Sequence, residues 1–188
     1  MTQLATFAGG CFWCIEAAFA RVQGVSQVVS GYMGGSSATA NYRAVCTGTT
    51  GHAEVVQFQF DPAQVSFELL LDMFFQLHDP TTLNRQGNDA GTQYRSEIFV
   101  HDESQLQAAQ RFITDQQPEY NAPIVTAISR ASTFYPAEAY HQDYFNQNPQ
   151  QPYCAYLIAP KLAKFSGKYR DNLKTEILTN CHESSALE

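Results

Sequence analysis

The sequence lacks most features that mark membrane, secreted or nucleic-acid-binding proteins. No apolar run approaches the roughly 18 residues that a membrane-spanning helix needs. The first residues, MTQLATFAGG, lack the charged segment and long apolar stretch of a secretory signal. Only 11 Lys and Arg accompany 18 Asp and Glu, and the net charge of −7 weighs against nucleic acid or an anionic membrane as a partner. These absences favour a soluble, cytoplasmic protein.

Cysteine is scarce and scattered. The five cysteines, an odd number, are Cys11, Cys14, Cys46, Cys154 and Cys181. Such a set, in a chain with no evident signal, argues against a disulfide framework and for thiol chemistry. No second cysteine pair and no histidine pair stands at the spacing of zinc ligands, so we expect no metal site.

The order of predicted elements indicates an α+β fold. Alternating apolar residues predict strands over 3–8, 25–32, 53–60, 97–101 and 124–129, and helical spacing predicts helices over 11–22, 66–77 and 103–116. The order β-α-β-β-α-β up to residue 101 is typical of a ferredoxin-like split βαβ plait, a two-layer sandwich. We expect one catalytic domain over 1–188, with a core at about 3–150 and an irregular C-terminal extension at 151–188.

Three segments remain outside this pattern. Residues 33–51 form a polar, glycine-rich loop, and residues 79–96, DPTTLNRQGNDAGTQYRS, have almost no periodicity. A structureless stretch of that length inside a compact domain is usually functional. The segment 159–173, APKLAKFSGKYRDNL, is amphipathic and basic, with Leu162, Phe165 and Tyr169 on one side, and predicts a helix packed on the domain.

Cys11 is the leading candidate for a reactive group. It follows a predicted strand and a Gly-Gly turn and opens a predicted helix, where free backbone N–H groups favour an anion. We therefore expect the pKa of Cys11 to lie below the usual value of about 8.5, and Cys11 to be a nucleophile. An inert buried cysteine is the alternative, and thioredoxin-type exchange between Cys11 and Cys14 is the rival use of this CxxC. The bulky Phe12 and Trp13 between them favour the wall of a small apolar pocket.

Glu54 is the leading candidate for an acid. In the strand 53–60 it shares a face with three large apolar residues, Val56, Phe58 and Phe60. Burial on that face predicts a raised pKa, and a carboxyl group that is neutral near pH 7 can act as a general acid. The alternative is a strand end that reaches solvent.

Other polar residues are ambiguous on local grounds. Tyr42 and Tyr94 lie in the two irregular segments, and Asp89 flanks a glycine-rich turn, so each has an ordinary surface or loop-stabilising interpretation. Three histidines are interpreted as turn or packing residues without a catalytic role. They are His52, His78 and His141.

Five blocks of sequence together point to one known family. They are GCFW at 10–13, NYRAVCTGTTGHAEVVQ at 41–57, HDPTTLNRQGNDAGTQYRS at 78–96, FYPAEAYHQDYF at 134–145 and PYC at 152–154. In this order they resemble the peptide methionine-S-sulfoxide reductase family (MsrA type) over residues 5–165. The resemblance implies reduction of free and protein-bound methionine-S-sulfoxide, and hence protein repair after oxidative damage.

The resemblance implies a role for each reacting group. Cys11 is the nucleophile that attacks the sulfoxide sulfur, and Glu54 protonates the departing oxygen. Tyr42 and Tyr94 hydrogen-bond that oxygen. Asp89 helps to orient substrate or water. The aromatic pair that receives the substrate's methyl group is Phe12 and Trp13.

The resemblance also implies the rest of the cycle. Cys11 becomes a sulfenic acid, a second thiol condenses with it, and the disulfide is reopened by thioredoxin, or by dithiothreitol in vitro. No bound cofactor or metal is expected, nor nucleic acid or membrane, and a monomer is expected.

The resolving cysteine is the open point. Position 14 is Cys where many members have Gly, Ala40 stands where Pro often precedes the tyrosine, and no glycine-rich tail with a further cysteine follows PYC. Matching residue types favour Cys154 as the resolving cysteine, with Cys14 as the alternative and Cys181 as a relay thiol.

Overall fold

The computed structural model of the chain describes residues 1–175 and consists of helices packed around a central mixed sheet. The strands are β1 (Gln3–Ala8), β2 (Val25–Met33), β3 (Ala53–Phe60), β4 (Arg85–Gln86), β5 (Asp89–Ala90), β6 (Glu97–Val100), β7 (Ala127–Arg130) and β8 (Tyr135–Pro136). The helices are α1 (Phe12–Phe19), α2 (Tyr42–Val45), α3 (Phe67–Leu77), α4 (Glu103–Gln116), α5 (Tyr144–Gln147) and α6 (Ala159–Lys168).

Six strands form the central sheet in the order β7-β6-β1-β3-β2-β8. Strand β1 lies between β3 and β6 and is antiparallel to both, and β2 is antiparallel to β3 and β8. Strands β6 and β7 are parallel. The predicted mixture of strands and helices is therefore present, with β1 and β3 side by side at the centre of the sheet.

Several predicted boundaries were wrong. The first helix ends at Phe19 rather than at Val22, because Val22 forms an isolated bridge with Leu173. The strand expected over 124–129 lies at Ala127–Arg130, where it pairs with β6. The segment 79–96 is not structureless: β4 and β5 form a hairpin in which Gly87 has a φ of +57°.

The larger core lies between the sheet and the helices. Phe7 of β1 stacks on Phe74 of α3 with ring centroids 4.8 Å apart, and Phe19 of α1 stacks on Phe58 of β3 at 4.6 Å. All four rings are fully buried. Each contributes about 1.5–3 kcal/mol through burial, so this aromatic cluster fixes α1 against the sheet.

The opposite face of the sheet has a smaller core. Met33, Val55 and Phe99 are buried there and pack against Phe134. Met33 and Met73, which lies in the larger core, are both 0% exposed, whereas Met1 is fully exposed. Two of the three methionines are thus sealed inside the protein.

Residues 159–168 of the C-terminal extension form the helix α6, so the expectation of an irregular extension was wrong for this segment. The predicted apolar face is confirmed: Leu162, Phe165 and Tyr169 are all buried. The Tyr169 hydroxyl donates to Asp72 Oδ2 at 2.6 Å and ties the extension to α3. Cys181 lies outside the described residues.

Among residues 1–175, no helix has both the length and the apolar character needed to cross a membrane.

Candidate active site

Cys11 is held by a tight turn between β1 and α1. Gly10 has a φ of +86°, a conformation that favours glycine, and a Cβ atom there would lie 2.8 Å from Gln86 Cγ. A Cβ atom on Gly9 would lie 2.8 Å from the ring of Phe74. The two glycines therefore allow close packing on both sides, and Cys11 becomes the N-cap residue of α1.

The pKa of the Cys11 thiol is raised well above its usual value, so the expectation of a lowered pKa was wrong for the resting protein. Burial is the main cause, and the negative charges of Glu54 and Cys14 add to it. The backbone N–H of Trp13 and the hydroxyl of Tyr153 act in the opposite direction. The helix N-terminus does favour the thiolate, but desolvation outweighs it.

Glu54 is buried beside Cys11, as its strand pattern predicted. Its side chain is 1% exposed, and its Oε2 accepts the backbone N–H of Phe12 at 3.1 Å, in the first turn of α1. Burial raises the pKa of Glu54 to about 8, with a further rise from the charge of Asp89 and an opposing effect of the Phe12 N–H. Glu54 is therefore mainly a neutral acid at pH 7.

Cys11 and Glu54 are electrostatically coupled. An ionised Glu54 raises the pKa of Cys11, because two adjacent negative charges in a buried site repel each other. When Glu54 carries its proton, this obstacle to the Cys11 thiolate is removed. The pair therefore resists carrying two negative charges, and a single ionisation leaves one negative charge and one available proton.

Tyr42 and Tyr94 lie around this pair and are both partly buried. Burial raises the pKa of each phenol, and the charge of Glu54 raises both further. The pKa of Tyr94 is also raised by the charge of Cys11. Both hydroxyls therefore stay protonated near neutral pH and can donate hydrogen bonds.

A cavity of about 190 Å³ opens beside Cys11. Its lining includes Cys11, Cys14, Asp89, Tyr153 and Lys161. The Tyr153 hydroxyl donates to Asp89 Oδ2 at 2.5 Å, which orients both groups at the cavity wall. The cavity therefore exposes the candidate nucleophile to a small ligand.

The aromatic pair after Cys11 divides into an inner and an outer ring. Phe12 is 0% exposed and packs between Tyr32 and His141, with ring centroids 5.9 and 5.1 Å away. Trp13 is partly exposed and stacks on Tyr144 at 3.7 Å. Only Trp13 presents surface in this structure, so Phe12 supports the site from beneath.

Glu138 is a site residue that the sequence interpretation missed, whereas His141, interpreted as a turn or packing residue, is buried and packs on the aromatic rings of the site. His141 Nδ1 accepts the indole N–H of Trp13 at 3.1 Å, and burial lowers the pKa of His141, so the ring is neutral. Glu138 accepts the backbone N–H of Tyr42 at 2.8 Å and the hydroxyl of Tyr32 at 2.8 Å. Their signal was the block at 134–145, which carried the resemblance but lies in chain of weak periodicity.

The described cysteines are all free thiols. Cys14 is 5% exposed, and its charge acts on Cys11. Cys154 is 0% exposed, at the start of the π-helical turn Cys154–Ile158 that leads into α6, and its charge acts on Cys14. Cys14 therefore shares the cavity with Cys11 and the buried core cluster with Cys154.

No group of three or more His, Cys, Asp or Glu side chains in the described part of the chain is arranged to hold a metal ion.

Comparison with known proteins shows the family to which this chain belongs. The family model described as peptide methionine sulfoxide reductase matches residues 3–173. The peptide methionine sulfoxide reductase MsrA of Polynucleobacter asymbioticus is 54% identical over 168 residues, which cover 88% of this chain and 88% of that protein. Mxr1 of Saccharomyces cerevisiae in its reduced form superimposes with a TM-score of 0.76 at 36% identity, covering 84% of this chain and 90% of that chain.

A second yeast structure, Mxr1 in complex with Trx2, matches with a TM-score of 0.53 at 27% identity, covering 76% of this chain and 84% of that chain. The family model spans almost all of the described residues, and the likeness to the bacterial and yeast proteins covers more than four fifths of this chain, in sequence and in fold. With a cysteine at a helix start beside a buried neutral acid, this chain belongs to the peptide methionine sulfoxide reductase family.

Proposed function

We propose that this chain is an oxidoreductase that reduces methionine-S-sulfoxide, free and in proteins, to methionine. One observation carries the proposal: the buried, neutral carboxyl group of Glu54 is bound at the first turn of the helix that Cys11 begins. A sulfoxide oxygen leaves only when it is protonated, so the reaction needs a nucleophile and a proton donor side by side. Cys11 and Glu54 meet that need.

In the proposed first step, the Cys11 sulfur attacks the sulfoxide sulfur. Glu54 donates its proton to the oxygen, and the hydroxyls of Tyr42 and Tyr94 donate hydrogen bonds to it. The substrate S–O bond and the transient bond between the two sulfurs then break, and the oxygen forms a bond to the Cys11 sulfur. Cys11 becomes a sulfenic acid, and the substrate leaves as a thioether. The substrate sulfur is reduced by two electrons, and the Cys11 sulfur is oxidised by two.

Two further groups are proposed to position the substrate. Asp89, bonded to Tyr153, lies in the cavity wall and orients substrate or water. Trp13 receives the methyl group, with Phe12 as the ring beneath it. Placement of both oxygen and methyl around a chiral sulfur makes the site selective for the S epimer.

The central test uses the two resolved epimers of methionine sulfoxide. With thioredoxin, thioredoxin reductase and NADPH, we expect steady NADPH oxidation with the S epimer and none above background with the R epimer. Methionine is quantified in the same samples by chromatography. Equal rates with both epimers, or NADPH oxidation without methionine, would contradict the proposed activity.

For the resolving step, we propose that Cys14 and Cys154 act in succession, Cys14 first. Cys14 shares the cavity with Cys11, one helical turn away, whereas Cys154 is fully buried beside Cys14. The direct attack of Cys154 on Cys11, favoured by residue types, stays a prediction, and the order of disulfide formation distinguishes it from the relay. The contribution of Cys181 stays a prediction outside the described residues.

Mass mapping of the disulfides checks this order. After one equivalent of methionine sulfoxide without reductant, we expect a Cys11–Cys14 disulfide at the earliest time, followed by Cys14–Cys154. In a Cys154→Ser variant, the Cys11–Cys14 disulfide is expected to persist. A first disulfide between Cys11 and Cys154, formed equally fast in a Cys14→Ser variant, would rule out the relay.

Thioredoxin is the proposed external reductant, with dithiothreitol as its substitute in vitro, and no bound cofactor takes part. The yeast relative bound to Trx2 supports this assignment. A cycle that ends in a disulfide must run where reduced thioredoxin is supplied, so we assign the protein to the cytoplasm. We also propose that it acts as a monomer.

We further propose that the chain is a single catalytic domain built on a ferredoxin-like plait. The inner strands β6, β1, β3 and β2 are adjacent in that order and each is antiparallel to its neighbour, as the plait requires. The helix α6 packs on α1 and α3, which supports its inclusion in the same domain.

A further inference from the structure

Lys161 connects the C-terminal extension to the site. It lies near the start of α6, and α6 packs on α1, the helix that carries Cys11 and Cys14. The Lys161 side chain lines the same cavity as the two cysteines. A basic residue of the tail thus reaches the position where the proposed disulfide forms.

The groups around Cys14 have opposite effects on the pKa of its thiol. Burial raises the pKa of its thiol, and the charges of Asp89 and Cys154 raise it further. The Lys161 ammonium group lowers that pKa, although burial is the larger effect and the pKa stays above its usual value. Lys161 thus favours a thiolate at Cys14, whereas Asp89 and Cys154 disfavour it.

We propose that Lys161 is a positioning residue that prepares Cys14 for attack on the oxidised Cys11. The proposal rests on the proposed function, since it concerns the step after substrate reduction. The thiolate, not the thiol, is the attacking form, and the Lys161 ammonium group increases the small thiolate fraction of this buried cysteine. Lys161 acts through Cys14 and has no role in sulfoxide reduction itself.

The step balances without any added reagent. The Cys14 thiolate attacks the sulfur of the Cys11 sulfenic acid, so the S–S bond forms and the S–O bond breaks. The hydroxide that leaves combines with the proton released by Cys14 and departs as water. Lys161 keeps its charge throughout, because its function is to stabilise the thiolate rather than to transfer a proton.

Lys164 provides a matched control on the same helix. It lies one turn further along α6, is exposed, and lines a different cavity, together with His78 and Tyr120. Lys161→Met and Lys164→Met remove the same charge and keep a similar length. Lys161→Arg retains the positive charge at the site.

The experiment follows a single turnover of the full chain, without reductant, over a range of pH. Methionine is measured by chromatography, Cys11 sulfenic acid by dimedone trapping, and the Cys11–Cys14 disulfide by mass spectrometry. In Lys161→Met we expect disulfide formation to slow about tenfold at neutral pH, with the rate profile moved about one pH unit higher and trapped sulfenic acid increased. Lys161→Arg and Lys164→Met are expected to match the wild-type chain.

Three outcomes overturn the proposal. They are an unchanged rate and pH profile in Lys161→Met, a loss in Lys161→Arg as large as in Lys161→Met, and a first disulfide that omits Cys14. The methionine yield reports the proposed function separately, since methionine leaves before the disulfide forms. A full equivalent of methionine from each variant also shows that each one is folded.

Discussion

Replacing Cys11 by Ser is expected to abolish methionine formation, even in a single turnover at high protein concentration. A serine hydroxyl is a far weaker nucleophile than a thiolate and cannot take up the oxygen as a sulfenic acid. Cys14 remains in the cavity but lies further along α1 than Phe12, whose backbone N–H binds Glu54. The measurement is methionine released per mole of protein, by chromatography.

The Cys11→Ser variant also separates reduction from simple thiol exchange. Cys14 and Cys154 stay available, so we expect the variant to retain some exchange with a small disulfide while losing sulfoxide reduction completely. Serine is close to cysteine in size, and the thermal midpoint of unfolding is expected to change little. Methionine formed by this variant at a substantial fraction of the wild-type yield would refute Cys11 as the nucleophile.

Replacing Glu54 by Gln is expected to lower kcat/KM for methionine-S-sulfoxide roughly 10³-fold, within the range for loss of a general acid. The amide oxygen of Gln can still accept the Phe12 N–H, so the first turn of α1 keeps its bond. The amide cannot supply a proton to the departing oxygen. Stopped assays with the S epimer measure the loss, and a value within a few fold of wild type would exclude the acid role.

The pH dependence gives this prediction a second readout. Glu54 is protonated below its pKa of about 8 and loses its proton above it, and the resulting charge also disfavours the Cys11 thiolate. Because Cys11 ionises only at a higher pH, the pair with one negative charge and one proton forms as the pH rises through about 8 and is lost again when the second proton leaves. The wild-type rate is therefore expected to rise through about pH 8 and to decline at more alkaline pH. In Glu54→Gln that alkaline decline should disappear, because no group at position 54 ionises.

Stability measurements distinguish lost chemistry from lost folding. The pKa of Glu54 is raised from 4.5 to about 8 on folding, so its contribution to the free energy of unfolding is greatest at low pH and declines as the pH rises from about 4.5 through about 8. Gln cannot ionise, so the variant does not lose stability at this position as the pH rises. We therefore expect Glu54→Gln to unfold at a higher temperature than wild type at pH 8, and a lower one would indicate damage to the fold.

The sequence predicted the elements whose periodicity is strong. The alternation in 53–60 gave both β3 and the burial of Glu54, and the apolar spacing in 159–173 gave the buried face of α6. The hairpin of β4 and β5 was missed because each strand has only two residues, too few to show a period. The end of α1 was missed because Val22 fits a helical pattern yet pairs with Leu173, a contact across the whole chain.

The site shows the same division between local and distant information. The turn around Cys11 depends on neighbouring residues, so the position of Cys11 was predictable. The pKa of the Cys11 thiol depends on burial and on Glu54, which lies on a distant strand. His141 and Glu138 act through contacts with Trp13 and Tyr42, more than 90 residues away in sequence. Such contacts carry no local pattern, and a single sequence therefore cannot reveal them.

The burial of Met33 and Met73 has a consequence for a protein that repairs oxidised methionine. An oxidant in solution cannot reach either thioether while the chain is folded, since both side chains have no exposed surface. Oxidation of a core methionine would insert a polar sulfoxide into packed apolar surroundings and would weaken the fold. The protein thus remains intact under the conditions that generate its substrate, and among the described methionines only Met1, exposed at the surface, would need repair by another copy.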